Sequence, residues 1–183
     1  MKRIIITQRI DIISHYNERR DSIDQRWTDF LLSIDILPIF ISNNLSHVKS
    51  VLKNDKIDGV IFSGGNSLSK FDNKFPEREQ VERYILEWAI EKNISVLGVC
   101  RGMQFIQNFF GVELSKVSNH VAVRHKLNVK TGLRLSEGVQ VIPNANCYHD
   151  YGTHKSNTEL QIVANSLDGV VMSVEHESKS IFE

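Results

Sequence analysis

The sequence predicts an α/β fold, a three-layer sandwich on a mainly parallel central sheet with a small antiparallel hairpin region added. Three observations predict it. Short apolar runs alternate with segments of helical period through the first part of the chain. Those runs are uninterrupted, as in strands covered on both faces. After the helical segment that ends at Phe110, the pattern changes to short strand-like pieces parted by turn residues.

Taken in order, Arg3–Thr7 reads as the first strand. A polar, charged stretch follows it, and then an apolar-striped helical segment over Asp24–Ser33. Leu37–Ile41 is the next strand and Leu45–Asn54 the next helix, which gives βαβα order. The run Asp58–Phe62 continues as a strand, and Glu77–Asn93 as a helix with Val81, Tyr84, Ile85, Trp88 and Ala89 on one stripe. Ile94–Val99 predicts a strand running straight into a helix over Arg101–Phe110. Beyond it, Leu127–Lys130, Gln140–Ile142, Gln161–Ala164 and Val170–Val174 read as antiparallel pieces. With no repeat, low-complexity tract or linker, residues 1–183 are expected to form one domain.

Composition narrows the function classes. Lys+Arg 22 balances Asp+Glu 22, and no basic stripe with interleaved aromatics appears, so no nucleic-acid partner is expected and a small polar substrate is. Two cysteines do not make a disulfide framework and read as reduced thiols of a cytoplasmic protein. The start MKRIIITQRI is charged too soon for a signal peptide, and no apolar run approaches the ~20 residues that cross a bilayer. Neither membrane nor cofactor is expected, and the chain is read as a monomer or homodimer.

The most informative run is Val96-Leu97-Gly98-Val99-Cys100-Arg101-Gly102-Met103-Gln104, a strand that ends on a cysteine and turns at once into a helix. Glycine at 98 and 102 suits a sharp turn where strand and helix backbones crowd, so the thiol is presented. The helix end and Arg101 are expected to favour its thiolate. A bland alternative is a small core residue at a strand end.

Other candidates gather at strand ends. Ser63-Gly64-Gly65-Asn66 follows the strand ending at Phe62, so backbone N–H groups there, with that of Arg101, form a candidate oxyanion hole; otherwise the glycines are only a turn. Gln104 lies one helical turn past Cys100 and points to the same rim, or is a half-exposed helix glutamine. The polar segment Asn144–His154 holds Tyr148, His149 and Asp150, with His149 or His154 as base, binding residue or solvated loop histidine. Arg9, Arg19 and Arg20 are candidate clamps for carboxylate or phosphate oxygens, against a reading as local ion pairs. Asn119, His120, Arg124 and His125 either face the pocket or decorate a hairpin. The spacing of His and Cys matches no zinc pattern, and no metal is expected.

Gly98–Gln104, with Ser63-Gly64-Gly65 upstream and Asn144–Gly152 downstream, resembles the class I glutamine amidotransferases, and its Cys-Arg-Gly-Met-Gln form their gamma-glutamyl hydrolase branch, similar to the gamma-glutamyl-gamma-aminobutyrate hydrolases. The opening Thr7–Asp11 and Glu18–Asp21 also resembles a narrower set encoded with surface-sugar biosynthesis, the gamma-glutamyl-CDP-amidate hydrolases. The resemblance implies a flavodoxin-like core and hydrolysis of a small gamma-glutamyl conjugate through a thioester. It makes Cys100 the nucleophile, Gly65 and Arg101 the oxyanion donors, and Gly64, Gln104 and the Tyr148–His149 loop substrate contacts. The family completes its triad with a Trp-His-Pro-Glu motif, which does not occur by Glu183, so the closing strand and tail are expected beyond it. Two alternatives stay open: a glutaminase subunit feeding a synthetase, and an inactive binding module.

Overall fold

Six residues, Lys2–Thr7, make the first strand, β1, whose last three side chains are buried. The computed structural model describes residues 1–142 and 144–182. They form two compact units, Met1–Gly102 and Met103–Glu183. No described helix is long and apolar enough to cross a membrane.

In the first unit β1 is followed by β2 (Arg9–Ile13), β3 (Glu18–Ser22), α1 (Arg26–Ser33), β4 (Ile36–Ile41), α2 (Leu45–Asn54), β5 (Gly59–Phe62), a single turn α3 (Ser69–Asp72), α4 (Pro76–Lys92) and β6 (Ser95–Gly98). The four strands β4, β1, β5 and β6 pair in that order, all parallel. Residues alternate in direction along a strand, so β1 offers two faces. Ile4 and Ile6 pack with Ile61 against Trp27 and Leu31 of α1. Thr7 has the opposite parity and its hydroxyl meets Glu82 of α4 at 3.1 Å. Helices therefore cover both faces, and the three layers expected from the uninterrupted apolar runs are present.

Local chemistry sets the helix ends. Pro76 opens α4 with Glu77 and Glu79 in its first turn, and Asn93 closes it in the left-handed conformation at φ 53. Asn44 caps α2 by accepting from the His47 N–H at 3.0 Å.

The charged stretch after β1, expected as a loop, is instead the hairpin β2–β3, paired from Arg9↔Ser22 to Ile13↔Glu18. Of its apolar side chains only Ile10 is fully buried, so the alternation that marks a strand is hidden under charge. A side chain supplies what the pattern lacks: Asn66 accepts from the Ile10 N–H at 2.8 Å and donates to the Ile10 carbonyl at 2.9 Å.

The helix α5 (Arg101–Phe109) carries the chain into the second unit, which comprises β7 (Ser115–Lys116), β8 (Val121–His125), β9 (Leu127–Val129), α6 (Ser136–Gln140), β10 (Ala145–Tyr148), β11 (Tyr151–Gly152), β12 (Leu160–Ser166), β13 (Val171–His176) and β14 (Ile181–Phe182). Strands β9, β12, β13 and β14 form an antiparallel ladder over a core of Val112, Leu160, Val171 and Val174. β8 pairs with β10 and β7 with β11 as small antiparallel ribbons.

Two expectations are corrected here. Gln140–Ile142 is no strand; the short helix α6 precedes and overlaps it. The buried carboxylate of Glu175 accepts the N–H groups of Arg134 and Leu135 at 3.0 and 2.9 Å, holding the turn that leads into α6. Long-range bonding has overridden a local apolar pattern. The polar segment Asn144–His154 contains β10 and β11, whose partners lie twenty or more residues away in sequence, where no local period could show them.

Candidate active site

The chain turns sharply after β6. Val99 donates its N–H to the Phe62 carbonyl at 2.9 Å, and Gly102 donates back to the Val99 carbonyl at 2.9 Å. Cys100 sits between them at φ 55, a left-handed conformation that costs a non-glycine residue about 1–2 kcal/mol. A side chain on Gly102 would overlap the Phe62 carbonyl oxygen, so only glycine lets α5 start this close to β5. Cys100 is consequently presented at the turn and is exposed as a residue, while the protein around its sulfur desolvates the thiol.

The glycine turn after β5 lies against it. A methyl group built on Gly64 would stand 3.8 Å from the Cys100 Sγ, and one on Gly65, at φ 83, 2.8 Å from Cδ of Arg9. A cavity of about 220 Å³ opens here, with Arg9, Asp24, Trp27, Ser63, Gly64 and Gly65 in its wall. The structure thus brings together Cys100, Gly64, Gly65 and Arg9.

Below the turn is a residue that the sequence reading missed. Arg78 is fully buried, and its guanidinium donates to three consecutive carbonyls: Ser63 at 2.7 Å, Gly64 at 3.2 Å and Gly65 at 2.6 Å. In a trans peptide the N–H points opposite to the carbonyl, so the N–H groups of Gly64, Gly65 and Asn66 are turned away from Arg78. Glu82, also fully buried, accepts from Arg78 Nε at 2.9 Å, from Thr7, and from the Arg101 guanidinium. Arg101 also approaches Glu79 at 3.6 Å. Four segments of the first unit are tied together by this network. A signal existed: positions 78 and 82 continue the stripe of the buried Ile85 and Ala89 at helical spacing, a charged i,i+4 pair on a face that should be apolar.

The electrostatics correct one expectation. Burial, not the helix end, dominates Cys100 and pushes its thiol above the ordinary value; the Arg101 backbone N–H and the Arg78 charge pull the other way. The Arg101 guanidinium gives no help at the sulfur because its side chain turns inward to Glu82. Arg78 is lowered to about 10, by burial above all, and stays cationic at neutral pH.

Two of the three candidate clamps are already engaged. Arg19 pairs with Glu77, donates to the Lys74 carbonyl at 3.3 Å and lies over the Phe75 ring, while Arg20 pairs with Glu18 at 2.8 Å. Arg9, although paired with Asp11 at 3.1 Å, lines the cavity.

In the second unit the Gln104 amide donates to the Tyr151 carbonyl at 2.8 Å. Tyr148 and Asp150 are exposed. His149 donates its backbone N–H to the His120 carbonyl at 2.9 Å, and burial lowers its imidazole. His120 is buried with Nε2 3.0 Å from Asp168, and its ring stacks on His125 with centroids 4.2 Å apart. His120, His125 and His149 therefore do gather, and with them the unforeseen Cys147.

Residues 6–183 match the Peptidase C26 family, to which the chain belongs. That makes it a hydrolase of glutamine amidotransferase-like fold. Among curated proteins it is 26% identical to the gamma-glutamyl-CDP-amidate hydrolase of Campylobacter jejuni, over 97% of this chain and 84% of that one. It is 28% identical to a subunit of the glutamine-hydrolyzing GMP synthase of Methanococcus maripaludis, over 80% of this chain and 71% of that one. A solved glutamine amidotransferase from Thermotoga maritima superposes with a TM-score of 0.70 at 13% identity, covering 99% of this chain and 73% of that one, and so shares the fold.

Proposed function

We propose that the chain hydrolyses the gamma-glutamyl amide bond of a small-molecule conjugate with Cys100 as nucleophile. One observation carries the reading: a thiol at φ 55 on a strand-to-helix turn, in contact with a glycine turn whose carbonyls are tied back by a buried arginine. Family membership and the likeness to a gamma-glutamyl-CDP-amidate hydrolase support it.

The sulfur attacks the side-chain carbonyl carbon, and the oxygen takes up negative charge between the N–H groups of Gly65 and Arg101. Each such donor is worth about 2.7–4 kcal/mol. The C–N bond breaks, the thiol proton ends on the leaving nitrogen, and a thioester remains. Water adds to the acyl carbon, the C–S bond breaks, and glutamate leaves as the thiol is restored. A thiol raised by burial is weak at rest, so a general base contributing about 10²–10⁴ in rate matters here; the resemblance assigns that work to a His–Glu pair. Arg9 in the cavity wall suits an anionic leaving group such as CDP-amidate, which would place the chain in surface-polysaccharide modification.

The likeness to the GMP synthase component supports a second reading, a glutaminase subunit delivering ammonia to a synthetase. Glutamate release decides between them, measured with gamma-glutamyl amides and with free glutamine, for the native chain and Cys100→Ala. The expected result is turnover of the amides, its loss in Cys100→Ala, and a raised KM for anionic conjugates in Arg9→Ala. Turnover of glutamine alone, and only with a partner present, would transfer the assignment to the second reading. Turnover unaffected by Cys100→Ala would end both.

A further inference from the structure

His120, His125 and Cys147 come from three separate places in the second unit, the turn before β8, the end of β8, and β10. One donor atom of each lies within 4.8 Å of the others. The β8–β10 register explains part of this. His125 lies opposite Ala145 and Val123 opposite Cys147, so His125 and Cys147 are diagonal neighbours on one face of the ribbon. His120 joins them because Asn119 and Ala122 take left-handed conformations at φ 62 and 56, which break the strand's alternation.

The hydrogen bonds fix which nitrogens are open. Nε2 of His120 faces the Asp168 carboxylate at 3.0 Å. A carboxylate oxygen accepts, so in the neutral ring that nitrogen carries the proton and Nδ1 keeps a lone pair. The Nδ1 atom is buried and has no hydrogen-bond partner among the described residues. Nε2 of His125 faces the Asn119 backbone carbonyl at 2.9 Å, which again only accepts and leaves Nδ1 with a lone pair in the neutral ring. A carboxylate or carbonyl behind each imidazole is how metal-binding histidines are oriented.

We propose that His120, His125 and Cys147 bind one zinc-class divalent cation, with Asp168 as the positioning carboxylate. Two imidazoles and a thiolate favour zinc or cobalt over magnesium or calcium. On binding, the Cys147 thiol gives its proton to solvent and the sulfur bonds the ion, so one proton is released per metal taken up. The fourth position falls to water or to His149, whose Nδ1 faces the Tyr151 carbonyl at 3.0 Å and leaves Nε2 open. Such an ion would clamp β8 to β10. It does not depend on the hydrolase reading.

The test uses the full chain. Mass-spectrometric metal analysis after dialysis is expected to find one zinc per chain, and replacement by cobalt to give thiolate-to-cobalt absorption with the visible bands of a four-coordinate ion. The absorption should survive Cys100→Ala and vanish in Cys147→Ser. Asp168→Asn should weaken zinc affinity about 10–100-fold. Absence of stoichiometric zinc and of cobalt absorption would overturn the site, as would absorption that follows Cys100 in place of Cys147. Should Cys147→Ser fail to fold, the native stoichiometry and the Asp168→Asn affinity decide alone.

Discussion

Cys100 and Cys147 are the same residue in opposite circumstances. Cys100 is exposed, on a strained backbone, with a buried cation below the neighbouring turn. Cys147 is wholly buried on a paired strand, with two imidazoles beside its sulfur. The first environment is made by chain-local geometry: a glycine two residues on lets the helix start early and leaves the cysteine at the turn between strand and helix. The second is made by strand pairing, which gathers side chains that no local sequence period relates. Strain at Cys100 must be held by something rigid, and the Arg78–Glu82–Arg101 network holds it. Nothing comparable is asked of β10, where only a bulge between Cys147 and Tyr148 departs from the ladder.

The largest effects should come from breaking that support. Removing the Arg78 cation leaves Glu82 with Arg101 and Thr7 alone and strips three carbonyls of their donor, and breaking a buried ion pair costs about 3–5 kcal/mol. Arg78→Met is therefore expected to lower the urea-unfolding free energy by that amount and also to slow turnover, because the Ser63–Gly65 carbonyls lose their anchor. Arg20→Ala removes an ion pair at the exposed surface, where solvent screens it, and should leave the urea midpoint nearly unchanged. Equal losses from the two variants would break the claim that the charges under the glycine turn are its support.

A glycine pair sharpens the same comparison. Gly102→Ala drives a methyl group into the Phe62 carbonyl, a backbone atom that cannot swing aside, so its cost falls at the upper end of the overpacking range, about 3 kcal/mol. Gly111→Ala meets open space and bears only the cost of φ 79, about 1–2 kcal/mol. Thermal unfolding ranks the two.

Much of the first unit was legible because each of its main strands is an apolar run closed by a turn or a cap. The run Ser95–Gly98, then Cys100, then Gly102 encodes both the strand end and the elbow within eight residues. Arg78 and Glu82 went unread although they continue the stripe of Ile85 and Ala89, since a charged pair on a helix reads first as a solvated face. The hairpin Arg9–Ser22 was hidden by its charges, which left Ile10 as the single buried anchor. In the second unit His120, His125 and Cys147 match no ligand spacing because pairing between β8 and β10 creates their proximity. The sign of the Cys100 shift was also out of reach. It depends on how much protein surrounds the sulfur, and sequence neighbours cannot report that.

Alkylation by iodoacetamide reads both thiols in one experiment. Only the thiolate reacts, so labelling of Cys100 should climb about tenfold per pH unit and continue rising past the ordinary thiol value of ~8.5. Cys147, at 0% exposure, should label only as the chain unfolds, on a time course set by unfolding. A Cys100 profile that levels off below neutral pH would mean a thiol activated at rest and would reverse the balance argued between burial and Arg78.

A small effect is expected at Asp168. Its carboxyl is lowered from 3.8 to about 2, first by the Ser166 hydroxyl and then by His120. A depressed carboxyl stabilises the fold above its unfolded value, and that contribution fades as pH falls from about 4 through 2. The side chain is 48% exposed, so solvent screening keeps the contribution to about 1 kcal/mol or less. Asp168→Asn should therefore unfold slightly earlier in urea than the native chain at pH 7, with the gap closing near pH 2. A gap that widens in acid would show that the carboxyl is not ionised against His120 in the native fold.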